Sequence, residues 1–178
     1  LLPMLQRLTS GRLGRIRALI LAPTRELAEQ TYQAAVELGK GTGARSIAIY
    51  GGVSKNNQER AIRGGAEIVV ACPGRLLDLM GSKDVRLDGL EVLVLDEADR
   101  MLDMGFIPDV EKIVSLIPKI RQTLFFSATM PKEIEALAGQ FLNDPVKVSV
   151  APQSTTAERV RQQATFVNQA EKQALLHI

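Results

Sequence analysis

Six short apolar runs recur along the chain, separated by segments of helical periodicity. The runs are 18–22 (ALILA), 46–50 (SIAIY), 68–71 (IVVA), 92–95 (VLVL), 123–126 (TLFF) and 146–150 (VKVSV). They are continuous rather than strictly alternating, as expected of strands covered on both faces. The spacing predicts helices over 25–38, 55–63, 74–80, 109–117 and 132–141. In the first of these Leu27, Ala28, Thr31, Ala35 and Leu38 share one side. Pro131 is expected in the first turn of the last helix, and Asn143-Asp144-Pro145 in its termination. At the front, Leu1, Leu2, Leu5 and Leu8 fall at helical spacing and predict the tail of a helix whose start is missing.

Strand and helix in alternation predict an α/β fold, a doubly wound parallel sheet. In such sheets ligands bind outside the carboxyl ends of the strands. Residues 1–150 read as one domain and 151–161 as a small, polar linker. Residues 162–178 read as the start of a second domain, with a strand over 163–167 and a helix over 171–178 that have nothing of their own to pack on.

Composition narrows the class without deciding the function. The 178 residues are 46% hydrophobic and 24% charged, with no Trp, so the core must be aliphatic. A net charge of +2 does not itself indicate nucleic acid, which needs a local basic patch. The single cysteine, Cys72, excludes an internal disulfide and fits a reducing compartment, so a cytoplasmic setting is expected. No apolar run approaches the roughly 20 residues that cross a bilayer, and no membrane partner is expected. The chain has no initiating Met and no signal-peptide layout, and it reads as a fragment. Arg7, Arg12, Arg15 and Arg17 read as a solvated basic loop. Met101, Leu102, Met104 and Phe106 read as core or as a helix–loop staple, and His177 has no expected catalytic part.

The chemistry begins where the apolar run 92–95 meets Asp96-Glu97-Ala98-Asp99. A buried strand ending in Asp-Glu fits the Walker B arrangement of nucleotide hydrolases. Asp96 there would hold Mg2+, directly or through water, since Mg2+ takes one or two carboxylates plus waters and phosphate oxygens. Glu97 would orient or deprotonate the attacking water. Two other readings stay open on these residues alone: an ion pair with Arg100, or a helix cap made by Asp96.

The Asp-Glu pair has company. VLVLDEADRMLDMGF, with PTRELA before it and SAT after it, resembles the DEAD-box family of ATP-dependent RNA helicases, with several short motifs in that family's order. The resemblance implies a RecA-like fold of the P-loop NTPase class, truncated at its amino end. It implies ATP and Mg2+ as cofactors, with Asp96 on the metal and Glu97 on the water. It implies that Asp99 couples to Ser127 and Thr129; a helix cap is the alternative for the latter two. Pro23, Thr24 and Arg25, Gly51 and Gly52, and Gly74 and Arg75 match RNA-binding motifs of the family. Cys72 stands where the family has Thr in the third of these, so the RNA role rests on Gly74 and Arg75. Recognition is expected to be of the RNA backbone and largely independent of base sequence. A second RecA-like domain is the implied partner.

No G-x-x-x-x-G-K-[ST] occurs in the sequence. The parent protein is therefore expected to hydrolyse ATP and separate short RNA duplexes, and this chain alone to be inactive. The competing readings are a DNA-directed helicase and a non-catalytic RNA- or protein-binding module built on a helicase core. Nothing in the residues fixes the oligomeric state.

Overall fold

The structure is a computed structural model that describes residues 1–10, 14–81, 85–150 and 165–175. The chain divides into two compact units, Leu1–Pro145 and Val146–Ile178. In the first unit β1 (Ala18–Leu21), β2 (Ser46–Ile49), β3 (Ile68–Ala71), β4 (Val92–Leu95) and β5 (Gln122–Phe125) form one sheet in the order β2-β3-β1-β4-β5. Every pairing is parallel. The register is flush. Leu21 stands beside both Ala71 and Leu95, Ala71 beside Ile49, and Leu95 beside Phe125. Five loops therefore leave the sheet from a single row of residues.

Strands β1 and β3 are buried throughout, as their unbroken aliphatic runs require. The pleat sends alternate residues to two separate cores. Leu19, Leu21, Val69, Leu93 and Leu95 pack on one face with α4 (Pro73–Gly81), α5 (Ala98–Asp103), α6 (Ile107–Ser115) and α7 (Lys132–Phe141). Ala18, Ile20, Ile68, Val70 and Val92 pack on the other with α1 (Leu2–Leu8) and α2 (Arg25–Leu38). Helix α3 (Lys55–Arg63) sends Ile62 into the first core. The doubly wound expectation holds.

At the amino edge of the sheet the chain is clamped by charge. Arg17 is 3% exposed, and Nη1 and Nη2 donate to the Leu8 and Ser10 carbonyls at 2.8 and 2.7 Å. Its guanidinium also reaches both Glu91 oxygens, at 2.7 and 3.1 Å. The Glu67 carboxylate accepts from the Gly14 and Arg45 N–H groups, each at 2.7 Å. Arg17 thus leaves the solvated loop assigned to it: the acceptors it satisfies are the Leu8 carbonyl at the end of α1 and the Ser10 carbonyl just beyond it. Arg12 lies outside the described residues.

Several boundaries differ from those expected. Residues 146–150 form no strand, and Val146, Val148 and Val150 are 91%, 87% and 89% exposed. An apolar run becomes a strand only when a neighbour accepts its hydrogen bonds, and none does so among the described residues. β5 begins and ends one residue earlier than its apolar run. Pro131 is the N-cap of α7 rather than part of its first turn. The expected 109–117 helix runs over Ile107–Ser115, and α5 precedes it with Met101 fully buried and Met104 half exposed. In the second unit, 165–167 has no regular structure, and a 3-10 turn (Gln169–Glu171) leads into α8 (Lys172–Leu175). The 151–161 segment and His177 lie outside the described residues, as does the rest of the expected terminal strand and helix. Among the described residues no helix is long and apolar enough to cross a membrane.

Candidate functional site

All the residues singled out from the sequence leave the sheet at one edge. Pro23–Arg25 follow β1, Gly51 and Gly52 follow β2, Gly74 and Arg75 follow β3, Asp96–Asp99 follow β4, and Ser127–Thr129 follow β5. The strand order sorts them. The Thr24-Arg25, Gly51-Gly52 and Gly74-Arg75 loops occupy the β2-β3-β1 half, and the carboxylates with their Ser127 and Thr129 partners the β4-β5 half. The divide falls between β1 and β4, where the winding reverses and a crevice opens in such sheets. Neighbouring strands lie about 4.8 Å apart, so the two halves are separate but adjacent.

On the acidic half the ladder continues past the strand. Asp96 N donates to the Leu21 carbonyl at 3.0 Å, and Ala98 N to the Phe126 carbonyl at 3.0 Å. The Asp96 carboxylate is half buried and accepts the Glu97 N–H at 3.1 Å. Burial first, and the neighbouring Glu97 charge second, push it above the usual carboxylate range. Asp96 also lines a cavity of about 430 Å3 floored by Ile20, Val92, Val94 and Leu124, with Phe126 at its wall. An under-compensated anion at such a mouth suits a divalent cation whose other ligands are waters and phosphate oxygens.

Glu97 stands in the left-handed region at φ +51 and ψ +54, strain for a residue with a Cβ. It occupies the N-cap of α5 without a side-chain cap bond, so the cap reading of Asp96 fails. The Glu97 carboxylate pairs with Arg100 Nη1 at 3.2 Å and does not line the cavity. The ion-pair reading therefore describes Glu97 in this state. That pair is exposed and worth less than about 1 kcal/mol, too little to hold Glu97 against a better use.

Asp99 gathers the β5 loop. Its Oδ2 accepts from Thr129 N at 2.8 Å and Thr129 Oγ1 at 2.7 Å, and its Oδ1 accepts from Arg100 N at 3.1 Å. Ser127 Oγ accepts from Asp99 N at 3.1 Å and donates to the Thr129 carbonyl at 2.8 Å. Burial opposes the Asp99 anion, but the Thr129 bonds, with those from Arg100 and Ser127, outweigh it and hold the carboxyl below its ordinary range. Neither Ser127 nor Thr129 caps α7, whose N-cap Pro131 makes no side-chain bond.

On the other half Thr24 is the N-cap of α2, its Oγ1 accepting from Leu27 N at 3.2 Å. Its hydroxyl keeps a hydrogen to donate. Arg75 Nη1 donates to the Val53 carbonyl at 3.4 Å, which ties α4 to the Gly51–Gly52 turn. A Cβ at Gly74 would stand 3.5 Å from Asp109 Oδ2. Burial raises the Cys72 thiol, as befits an inert side chain. Sequence reasoning passed over Tyr50, which carries Arg25 on its ring, and Glu29, which bonds its hydroxyl. Their signals were modest. Tyr50 directly precedes Gly51, and Glu29 lies one helical turn after Arg25.

The DEAD/DEAH box helicase family model matches residues 1–137. Over 171 residues the chain is 44% identical to the DEAD-box ATP-dependent RNA helicase CshA of Streptococcus pneumoniae, covering 96% of this chain and 32% of that protein. The RNA helicase CrhR of Synechocystis is 45% identical over 166 residues, 93% of this chain and 33% of its own length. A DEAD box protein from the hyperthermophile Methanococcus jannaschii superposes with a TM-score of 0.70 at 44% identity, covering 73% of this chain and 36% of that one. The chain spans about a third of the length of these relatives.

Proposed function

The chain belongs to the DEAD/DEAH box helicase family, and on that premise we propose that it is the first RecA-like domain of an RNA-dependent ATPase that separates short RNA duplexes. The observation that carries the reading is the sorting of loops by strand order, with the glycine and arginine loops on β2-β3-β1 and the Asp96–Asp99 carboxylates beyond β4. In this reading Thr24, Arg25, Gly51, Gly52, Gly74 and Arg75 take the phosphates and riboses of one RNA strand. Asp96 would hold Mg2+, and Mg-ATP bound there would supply the phosphoryl group and its charge neutralisation. Glu97 leaves Arg100 and orients the attacking water. Asp99 carries any shift of the β4 loop to Ser127 and Thr129 and so towards the second RecA-like domain, whose beginning is assigned to 162–178. Transfer of phosphoryl groups is mostly positioning and charge neutralisation, for which this donor set is suited. A phosphate-gripping loop is absent from this sequence. The reading therefore places RNA binding in the chain as given and ATP turnover only in a polypeptide that supplies that loop.

Fluorescence anisotropy with single-stranded RNA and DNA of one sequence tests it. Binding that favours RNA and weakens steeply with salt is expected. Equal affinity for the two would favour the DNA-directed reading, and no binding of either at low salt would overturn the assignment.

A further inference from the structure

Five side chains, from α2, α3 and the residue after β2, meet beside the Gly51–Gly52 turn. The Arg25 guanidinium lies over the Tyr50 ring, 5.0 Å from its centroid. The Tyr50 hydroxyl donates to Glu29 Oε2 at 2.6 Å, and Glu29 Oε1 accepts from Gln33 Nε2 at 2.7 Å. Gln58 Nε2 donates to the Tyr50 carbonyl at 2.9 Å and so fixes the backbone that bears the ring. Arg25 Nη1 comes within 3.5 Å of the point where a side chain at Gly52 would begin. Gly52 has φ +80, so the turn itself demands glycine, and the guanidinium sits at van der Waals distance from that point.

The arrangement solves a conflict inherent in the sequence. Glu29 stands four residues after Arg25 on one helix, the spacing at which an acid and a base pair and neutralise each other. Here the Tyr50 hydroxyl takes the carboxylate, and the ring face takes the cation. An arginine stacked on an aromatic face keeps its plane fixed while its charge remains whole. The hydrogen bond that Glu29 accepts lowers the Glu29 carboxyl and raises the Tyr50 hydroxyl, so neither titrates near neutral pH.

We propose that Tyr50, anchored by Glu29, is a positioning residue that presents the Arg25 guanidinium to an RNA phosphate at the Gly51–Gly52 turn. The proposal rests on the assignment of Arg25 to RNA made above. It requires that the ring matter only while the guanidinium is present.

The test is a double-mutant cycle on the whole chain, read by RNA anisotropy over a salt series, with Arg25→Ala, Tyr50→Leu and the pair combined. Arg25→Ala should weaken binding about tenfold and lower the salt slope by about one. Tyr50→Leu should weaken it about three- to tenfold in the parent and have no further effect once Arg25 is gone. Tyr50→Phe keeps the ring face but not the hydroxyl that Glu29 holds, so its affinity should fall between those of the parent and Tyr50→Leu; full parental affinity would overturn the anchoring by Glu29. Equal losses from Tyr50→Leu in both backgrounds would overturn the positioning role and leave Arg25 on the RNA. An unchanged affinity in Arg25→Ala would overturn that assignment itself, and the positioning role with it.

Discussion

Asp96 and Asp99, three residues apart, are tuned in opposite directions, and the difference is a matter of donors. Asp99 is ringed by N–H and O–H groups and titrates low, whereas Asp96 is half buried with the Glu97 N–H on it and titrates high. For Asp99 the anion is favoured by folding. Its stabilising effect is complete above the unfolded carboxylate range and is lost as the pH falls through the lowered folded value. For Asp96 the sign reverses. Its charge costs stability at neutral pH, and that cost disappears as the pH falls through the raised folded value. Asp96→Asn should therefore raise the melting temperature at neutral pH, by about 1–3 °C, while removing the charge that a cation needs. A lower melting temperature in a thermal scan would contradict this account. Glu97 holds strain of a different kind, in its backbone. Glu97→Gly should stabilise the chain by about 1 kcal/mol by relieving the left-handed φ, whereas Glu97→Gln should leave stability unchanged in urea unfolding.

At the level of elements, the helices and strands are held from two ends by different forces. Apolar side chains pack both faces of the sheet, and the Arg17–Glu91 pair ties α1, β1 and β4 at the amino edge. Arg17→Met removes the partner of a carboxylate and the donors to two carbonyls, and should cost about 3 kcal/mol in urea unfolding. Arg17 holds Glu91 below the carboxylate range. The clamp's contribution should thus fade only as the pH falls through that lowered value, a loss absent from the Arg17→Met profile.

This clamp marks what the sequence did not disclose. Strands β1, β3 and β4 were legible because each is an unbroken aliphatic run bounded by turn residues. The motif loops were legible because each follows such a run directly. Arg17 and Glu91 are 74 residues apart, and no local pattern joins them. The 146–150 run misled for the same reason. Its apolar, β-branched content is a property of the segment, but strandhood belongs to a pair. Helix α5 escaped notice because six residues, Ala98–Asp103, are too few to show a period. Tyr50 and Glu29 read as ordinary strand and helix residues until the fold brought them against Arg25.

For the molecule as a whole, the carboxyl edge carries the proposed RNA-binding and catalytic loops side by side, while the sequence as given has no phosphate-gripping loop. RNA affinity should be measurable in this chain, and ATP turnover negligible with or without RNA. A phosphate-release assay that found RNA-stimulated hydrolysis by this polypeptide would show that something here substitutes for the missing phosphate loop. The flush ends of five four-residue strands carry one more consequence. Because each loop starts from the same row, strand length acts as a gauge for where every loop stands. One extra residue inside β1 or β4 would advance its loop by about 3.3 Å and turn its inward side chains to the opposite core. The same insertion in the turn after α2 would disturb neither. A single-residue insertion scan should therefore divide the chain sharply, into strands that tolerate no change in count and connections at the far edge that absorb it.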